Sequence, residues 1–186
     1  MTTTLILLIV IGAVALIGVG MYNGLVRGKN KVDSALSDIS VYLKKRYDLI
    51  PNLVNTVKGY AAHESQTLEN VIKMRNQAMA VPEGDVAAMA QAQVQLGSAM
   101  RSIFALAENY PDLKANANFM SLQQSLQTIE SDLEGSRRYY NATVRDYNTS
   151  IESFPQVLFA KSFGFFSRDF FELDSPEESA VPNVQF

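Results

Sequence analysis

The sequence predicts an all-α protein: an N-terminal transmembrane helix, a bundle of about three long helices, a short C-terminal helix and an irregular tail. Three observations lead there. Residues 5–21 read LILLIVIGAVALIGVGM, without a charge. From residue 32 onward, apolar side chains recur in steps of three and four, the repeat of a helix that buries one face. Nothing in that region alternates with a period of two, so strands are not expected. The chain divides accordingly into an anchor and its exit (1–24), a helical domain (25–163) and a tail that is first aromatic and then acidic (164–186).

The anchor comes first. An apolar helix of about 20 residues rises about 30 Å, the thickness of a bilayer's hydrocarbon core. Leu5, Ile9, Val14, Leu16 and Met21 mark its length. The glycines at 12, 18, 20 and 24 suit a membrane helix better than a soluble one. A cleaved signal peptide would carry a basic leader and a small-x-small cleavage site. Here the leader is MTTT, no such site follows, and a retained anchor is expected. The flanking cations Arg27, Lys29 and Lys31, then Lys44, Lys45 and Arg46, all follow the span. By the positive-inside rule they place the helical domain in the cytoplasm. Arg27, Lys29, Lys31, Lys44 and Lys45 are candidate contacts for anionic headgroups. Gly20, Gly24 and Gly28, four apart, form a small-residue face on which a second helix can pack closely. The same glycines also suit a flexible exit, since Asn23-Gly24 is a turn dipeptide.

In the helical domain one apolar row is Leu36, Leu43, Ile50 and Val57. A second is Val32, Ile39, Leu53 and Tyr60, interrupted by Arg46. Pro51 lacks an N–H, which predicts a kink or a restart there, with Asp48 as the cap. The run Val81-Pro82-Glu83-Gly84-Asp85 ends the first helical region near residue 80. A second helix is expected from about Asp85 to Asn109, stopped by Tyr110-Pro111-Asp112, and a third from about Asn116 to Ser153. A short helix is expected near Pro155 to Phe163. Residues 154–171 hold seven phenylalanines. Of these, Phe163, Phe165, Phe166, Phe170 and Phe171 form a candidate interaction patch. Capping the bundle, docking on a partner and lying at the membrane interface are three open assignments for it.

Composition narrows the chemistry. A net charge of −3 and a pI near 5.2 argue against nucleic acid, whose binding rests on clustered Lys and Arg. There is no cysteine, hence no disulfide, thiolate ligand or thiol nucleophile. The single histidine, His63, precedes Glu64 but has Thr67 where a zinc-binding helix needs its second His. Glu130 and Glu134 lack the histidines of a dimetal bundle site and read as a helical ion-pair surface. No enzyme activity, cofactor or metal is expected.

The most specific stretch is NKVDSALSDISVYLKKRYDLIPNLVNTVKGYAAHE, residues 30–64. With NFMSLQQSLQTIE, RYYNATVRDYN and FPQVLFAKSFGF in that order, it resembles the LemA family of bacterial membrane proteins. Ser40 departs from the aspartate usual there. The resemblance implies one N-terminal span, a helical bundle and no established catalysis. One family branch is associated with forming magnetosome membranes, which implies membrane shaping as a role. The resulting expectation is a self-associating, membrane-anchored scaffold with lipid and other copies as partners. The alternative is a tethered adaptor for an unknown protein partner.

Overall fold

The computed structural model describes residues 2–172. Its regular structure is helical, with no strand among the described residues. Helix α1 (Thr2–Lys58) leads to α2 (Ser65–Met79), α3 (Val86–Ala107), the single turn α4 (Pro111–Lys114) and α5 (Ala117–Glu152). Two 3-10 turns follow, Gln156–Leu158 and Lys161–Phe163. The acidic end expected over residues 172–186 lies, beyond Glu172, outside the described residues.

Pro51 does not break α1, which runs unbroken through it. A proline at 51 leaves the carbonyl of Tyr47, four residues back, without its helical donor. Arg75 Nε on α2 donates to that carbonyl at 2.7 Å and takes the missing N–H's place. The break comes instead at residues 59–64, so the single region expected up to residue 80 is two helices. Lys58 in the last turn and Gly59 after it form the stop. The carbonyl of Val57 there accepts from both Tyr60 N–H (3.0 Å) and Ala61 N–H (2.9 Å). His63 therefore lies in a connection rather than on a long helix. Further along, Asp85 caps α3 by accepting from Ala88 N–H at 3.0 Å.

The expected short C-terminal helix is replaced by the two 3-10 turns. The backbone leaves helical geometry at Phe159 (φ −130°), and Gly164 ends the second turn in the left-handed region (φ 78°). A glycine meets that angle without steric cost.

Contacts divide the chain into two units, each drawing on part of α1 and part of α5. The first comprises Met1–Ser37, in its described part, and Tyr139–Asp169. Its helical segments run antiparallel, since Gly28 meets Tyr147 while Lys31 lies over the Tyr139 ring. Leu25, Val32, Tyr140, Val144 and Tyr147 are buried there. The irregular chain after residue 164 is tied down by polar contacts. Arg168 N–H donates to Asn148 Oδ1 and Asn148 Nδ2 donates to the Arg168 carbonyl, both at 2.9 Å. Arg168 Nη2 pairs with Asp33 Oδ1 at 2.8 Å, and Tyr140 Oη donates to the Asp169 carbonyl.

The second unit comprises Asp38–Arg138 and the described part of Phe170–Phe186. Ile39, Ile50, Leu53 and Val57 from α1 are fully buried with Val71 of α2, Leu96 and Ile103 of α3 and Leu133 of α5. The predicted rows thus face inward, apart from Leu36, which is half-buried, and Tyr60, which is exposed. Tyr60 Oη instead accepts from Asn116 Nδ2 at 2.9 Å, while Asn116 Oδ1 accepts from Phe119 N–H and caps α5.

Candidate membrane-facing site

The first unit carries the apolar run. Leu5, Ile9, Val14 and Leu16 are 61–76% exposed, and no residue of the run's most apolar window is buried by the rest of the chain. A soluble helix of this composition would bury one side; this one leaves every side open. Met21 is half-covered, and the first buried residue among those described is Leu25.

Below the run, the three glycines separate. A Cβ at Gly20 or Gly24 would meet nothing within 4 Å, whereas one at Gly28 would lie 3.2 Å from Tyr147 Cδ2. Gly28 is therefore occupied within the chain, which corrects its assignment to a face for a second copy. Gly20 and Gly24 keep that face open. Arg27, Lys29 and Lys31 are exposed in the same unit as the span, and the Lys31 ammonium stands 5.8 Å from the Tyr139 ring centroid. Lys44 and Lys45 belong to the second unit, where Lys45 sits 5.0 Å over the Tyr42 ring.

The phenylalanines also sort into two kinds. Phe165 and Phe171 are 5% and 3% exposed, so they belong to the packing and not to a surface patch. Phe163 and Phe166, at 60% and 63%, are open, and Phe170 is partly so. The expected patch of five is thus divided by burial. Phe154 and Leu158, outside that group, are the most exposed of the region at 79% and 71%. Sequence alone did not single them out, since apolar residues around a proline turn read equally well as core.

A second feature lies in the second unit. Arg46, the interruption of the apolar row, is buried, as is Arg137. Arg46 Nη1 pairs with Glu130 Oε2 at 3.1 Å and donates to Gln93 Oε1 at 3.2 Å; Arg137 Nη2 pairs with Glu130 Oε1 at 2.9 Å. Gln93 Nε2 in turn donates to Tyr47 Oη at 2.5 Å. Burial lowers the Arg46 pKa from its usual value and raises that of the Tyr47 phenol. Arg46, Gln93, Glu130 and Arg137 border a groove of about 480 Å³, whose charged lining is completed by Arg101. One carboxylate thus faces three guanidiniums. The Arg137 Nε is buried with no hydrogen-bond partner. Glu130 was expected on a helical ion-pair surface, and Glu134 does form such an exposed pair with Arg138.

A model of the LemA family matches residues 35–186. The chain belongs to the LemA family. Protein LemA of Metamycoplasma hominis is 23% identical over 177 residues, covering 95% of this chain and 80% of that protein. Magnetosome protein MamQ of Magnetospirillum gryphiswaldense is 21% identical over 81% of this chain and 64% of that protein. Magnetosome protein MamQ 2 of Paramagnetospirillum magneticum is 22% identical with the same coverage. The chain therefore spans a little under two thirds of the magnetosome proteins it matches. It is a membrane-associated LemA-family protein with an N-terminal apolar helix.

Proposed function

We propose that this LemA-family chain is a single-pass scaffold that self-associates in the membrane and organises or bends it. The observation that carries this reading is the open face at Gly20 and Gly24, at the foot of a span exposed on all sides. Small residues four apart let two helices approach to backbone contact, and lipid tails offer no hydrophobic penalty for exposing that face beforehand. Relatives named as magnetosome proteins are consistent with a role in membrane organisation. The test uses two differently tagged full-length copies expressed together and solubilised in mild detergent. One tag should capture the other, and Gly24→Leu should abolish the capture. Gly24 has open surroundings, so the substitution leaves the chain's own packing intact. Capture that Gly24→Leu leaves unchanged removes the glycine face from the account.

The reading places the span in a bacterial inner membrane, with the helical domain on the cytoplasmic side, from Arg27, Lys29 and Lys31 just after the apolar run. Headgroup contact is assigned to these three cations. Because the chain has no cysteine, one introduced at exposed Glu69 reports its side cleanly. It should resist an impermeant thiol reagent in intact cells and react after permeabilisation; labelling of intact cells reverses the orientation.

A second reading, a tethered adaptor, is favoured by the arginine-lined groove, whose excess positive charge suits a partner presenting an acidic segment. Under it, tagged copies do not capture one another, and charge reversal at Arg101 removes the partner.

A further inference from the structure

We infer that the loop of residues 154–166 is a second membrane-contacting element, an aromatic collar that enters the lipid interface beside the end of the span. The inference rests on the reading of residues 5–21 as a membrane helix and adds to it a contact that no helical span predicts.

Two observations within the first unit carry it. The first is exposure. Phe154, Val157, Leu158, Phe163 and Phe166 lie within thirteen positions of one another and are 46–79% exposed. Singly exposed apolar residues are ordinary, but a cluster with several aromatic rings needs an apolar environment to cover it. The second is position. Tyr22 directly follows Met21, where the apolar run ends, and its ring is held by this same loop. Phe163 and Phe165 both meet it edge-on, each with ring centroids 5.5 Å away. Phe159 meets Phe163 edge-on, with centroids 6.0 Å apart.

The backbone explains how the loop reaches that level. Phe165 N–H donates to the Ala160 carbonyl at 2.9 Å and Gly164 N–H to the Lys161 carbonyl at 3.1 Å. With Gly164 left-handed, the chain reverses so that Phe165 turns inward while Phe166 is left outside. The open Phe163 ring therefore adjoins the end of the apolar run, and the rest of the loop's exposed side chains lie on the chain flanking it. Tyrosine concentrates at that depth, as Tyr22 would, and phenylalanine and leucine beside it bury their apolar bodies at the headgroup–acyl boundary. Lys161, exposed within the loop, and Arg27, exposed on α1, supply cations for anionic headgroups. The occupant of the patch is thus lipid: the patch continues the exposed apolar surface of the span, with Tyr22 as the joint.

The absence of tryptophan gives a direct test. Leu158→Trp and Phe166→Trp replace exposed apolar side chains and disturb no buried contact. Each full-length variant is reconstituted in phosphatidylcholine–phosphatidylglycerol vesicles carrying bromine either near the headgroup or near the chain end. Leu16→Trp serves as the reference for the span and Val41→Trp, exposed in the second unit, as the reference for water. The collar predicts blue-shifted emission at 158 and 166, with greater loss to shallow bromine than to deep bromine. Emission at both sites as red and as unquenched as at position 41, while position 16 is quenched by deep bromine, overturns the collar and leaves the anchor standing. A position 16 that no bromine quenches overturns the anchor, and the collar with it.

Discussion

Glu130 bridges two buried guanidiniums, and its removal tests what that bridge contributes. Glu130→Gln keeps the shape but leaves Arg46 and Arg137 without a carboxylate. Breaking a fully buried pair costs roughly 3–5 kcal/mol; the half-exposed Glu130 side chain admits water, so about 2 kcal/mol is expected. Arg46→Met, which removes a buried charge and keeps an unbranched stem, should cost less than Glu130→Gln. Thermal unfolding of the detergent-solubilised chain ranks the two, and equal losses would mean that packing of the Arg46 stem matters more than charge. Arg46 was visible in the sequence as a break in an apolar row. Where it points was not, because its partners lie 47 and 84 positions away, on α3 and α5. The phenylalanines make the same point: seven identical side chains carry no mark of which are buried, and only the reversal at Gly164 sorts Phe165 from Phe163 and Phe166.

Among the elements, α1 owes its last two turns to a neighbour. Arg75→Ala leaves the Tyr47 carbonyl without a donor and should cost about 1–2 kcal/mol, the penalty of an unmet polar group. In a Pro51→Ala background the residue-51 N–H is restored to that carbonyl, so Arg75→Ala should cost less. A double-mutant cycle read by urea denaturation measures the difference, expected at about 1 kcal/mol, and strict additivity would contradict the compensation. This contact also explains why the break or kink expected at Pro51 from the sequence does not interrupt the helix. The local rule was sound, but a residue on the next helix met the need. The true break at 59–64 was harder to read, since GYAAHE has no proline and the apolar stripe resumes at Leu68. Where breaker chemistry was dense, at residues 81–85, the start of α3 was legible to within a residue. The long apolar repeats identified α3 and α5 equally well, because burial there follows the repeat.

At the scale of the whole molecule, an anchor and a helical domain share one uninterrupted helix. The long apolar helix was legible from composition alone, and its run exposes apolar side chains on every face. The open glycine face was legible only in part: spacing grouped Gly28 with Gly20 and Gly24, and the Tyr147 ring took Gly28 out of that set. Self-association through the remaining two is the central claim. It is tested most directly by counting copies in lipid, with each full-length chain carrying one fluorophore and reconstituted at high dilution. Stepwise photobleaching of individual particles should reveal several copies in the unaltered protein and a single copy in Gly24→Leu. Single steps for the unaltered chain at every protein-to-lipid ratio would contradict the scaffold.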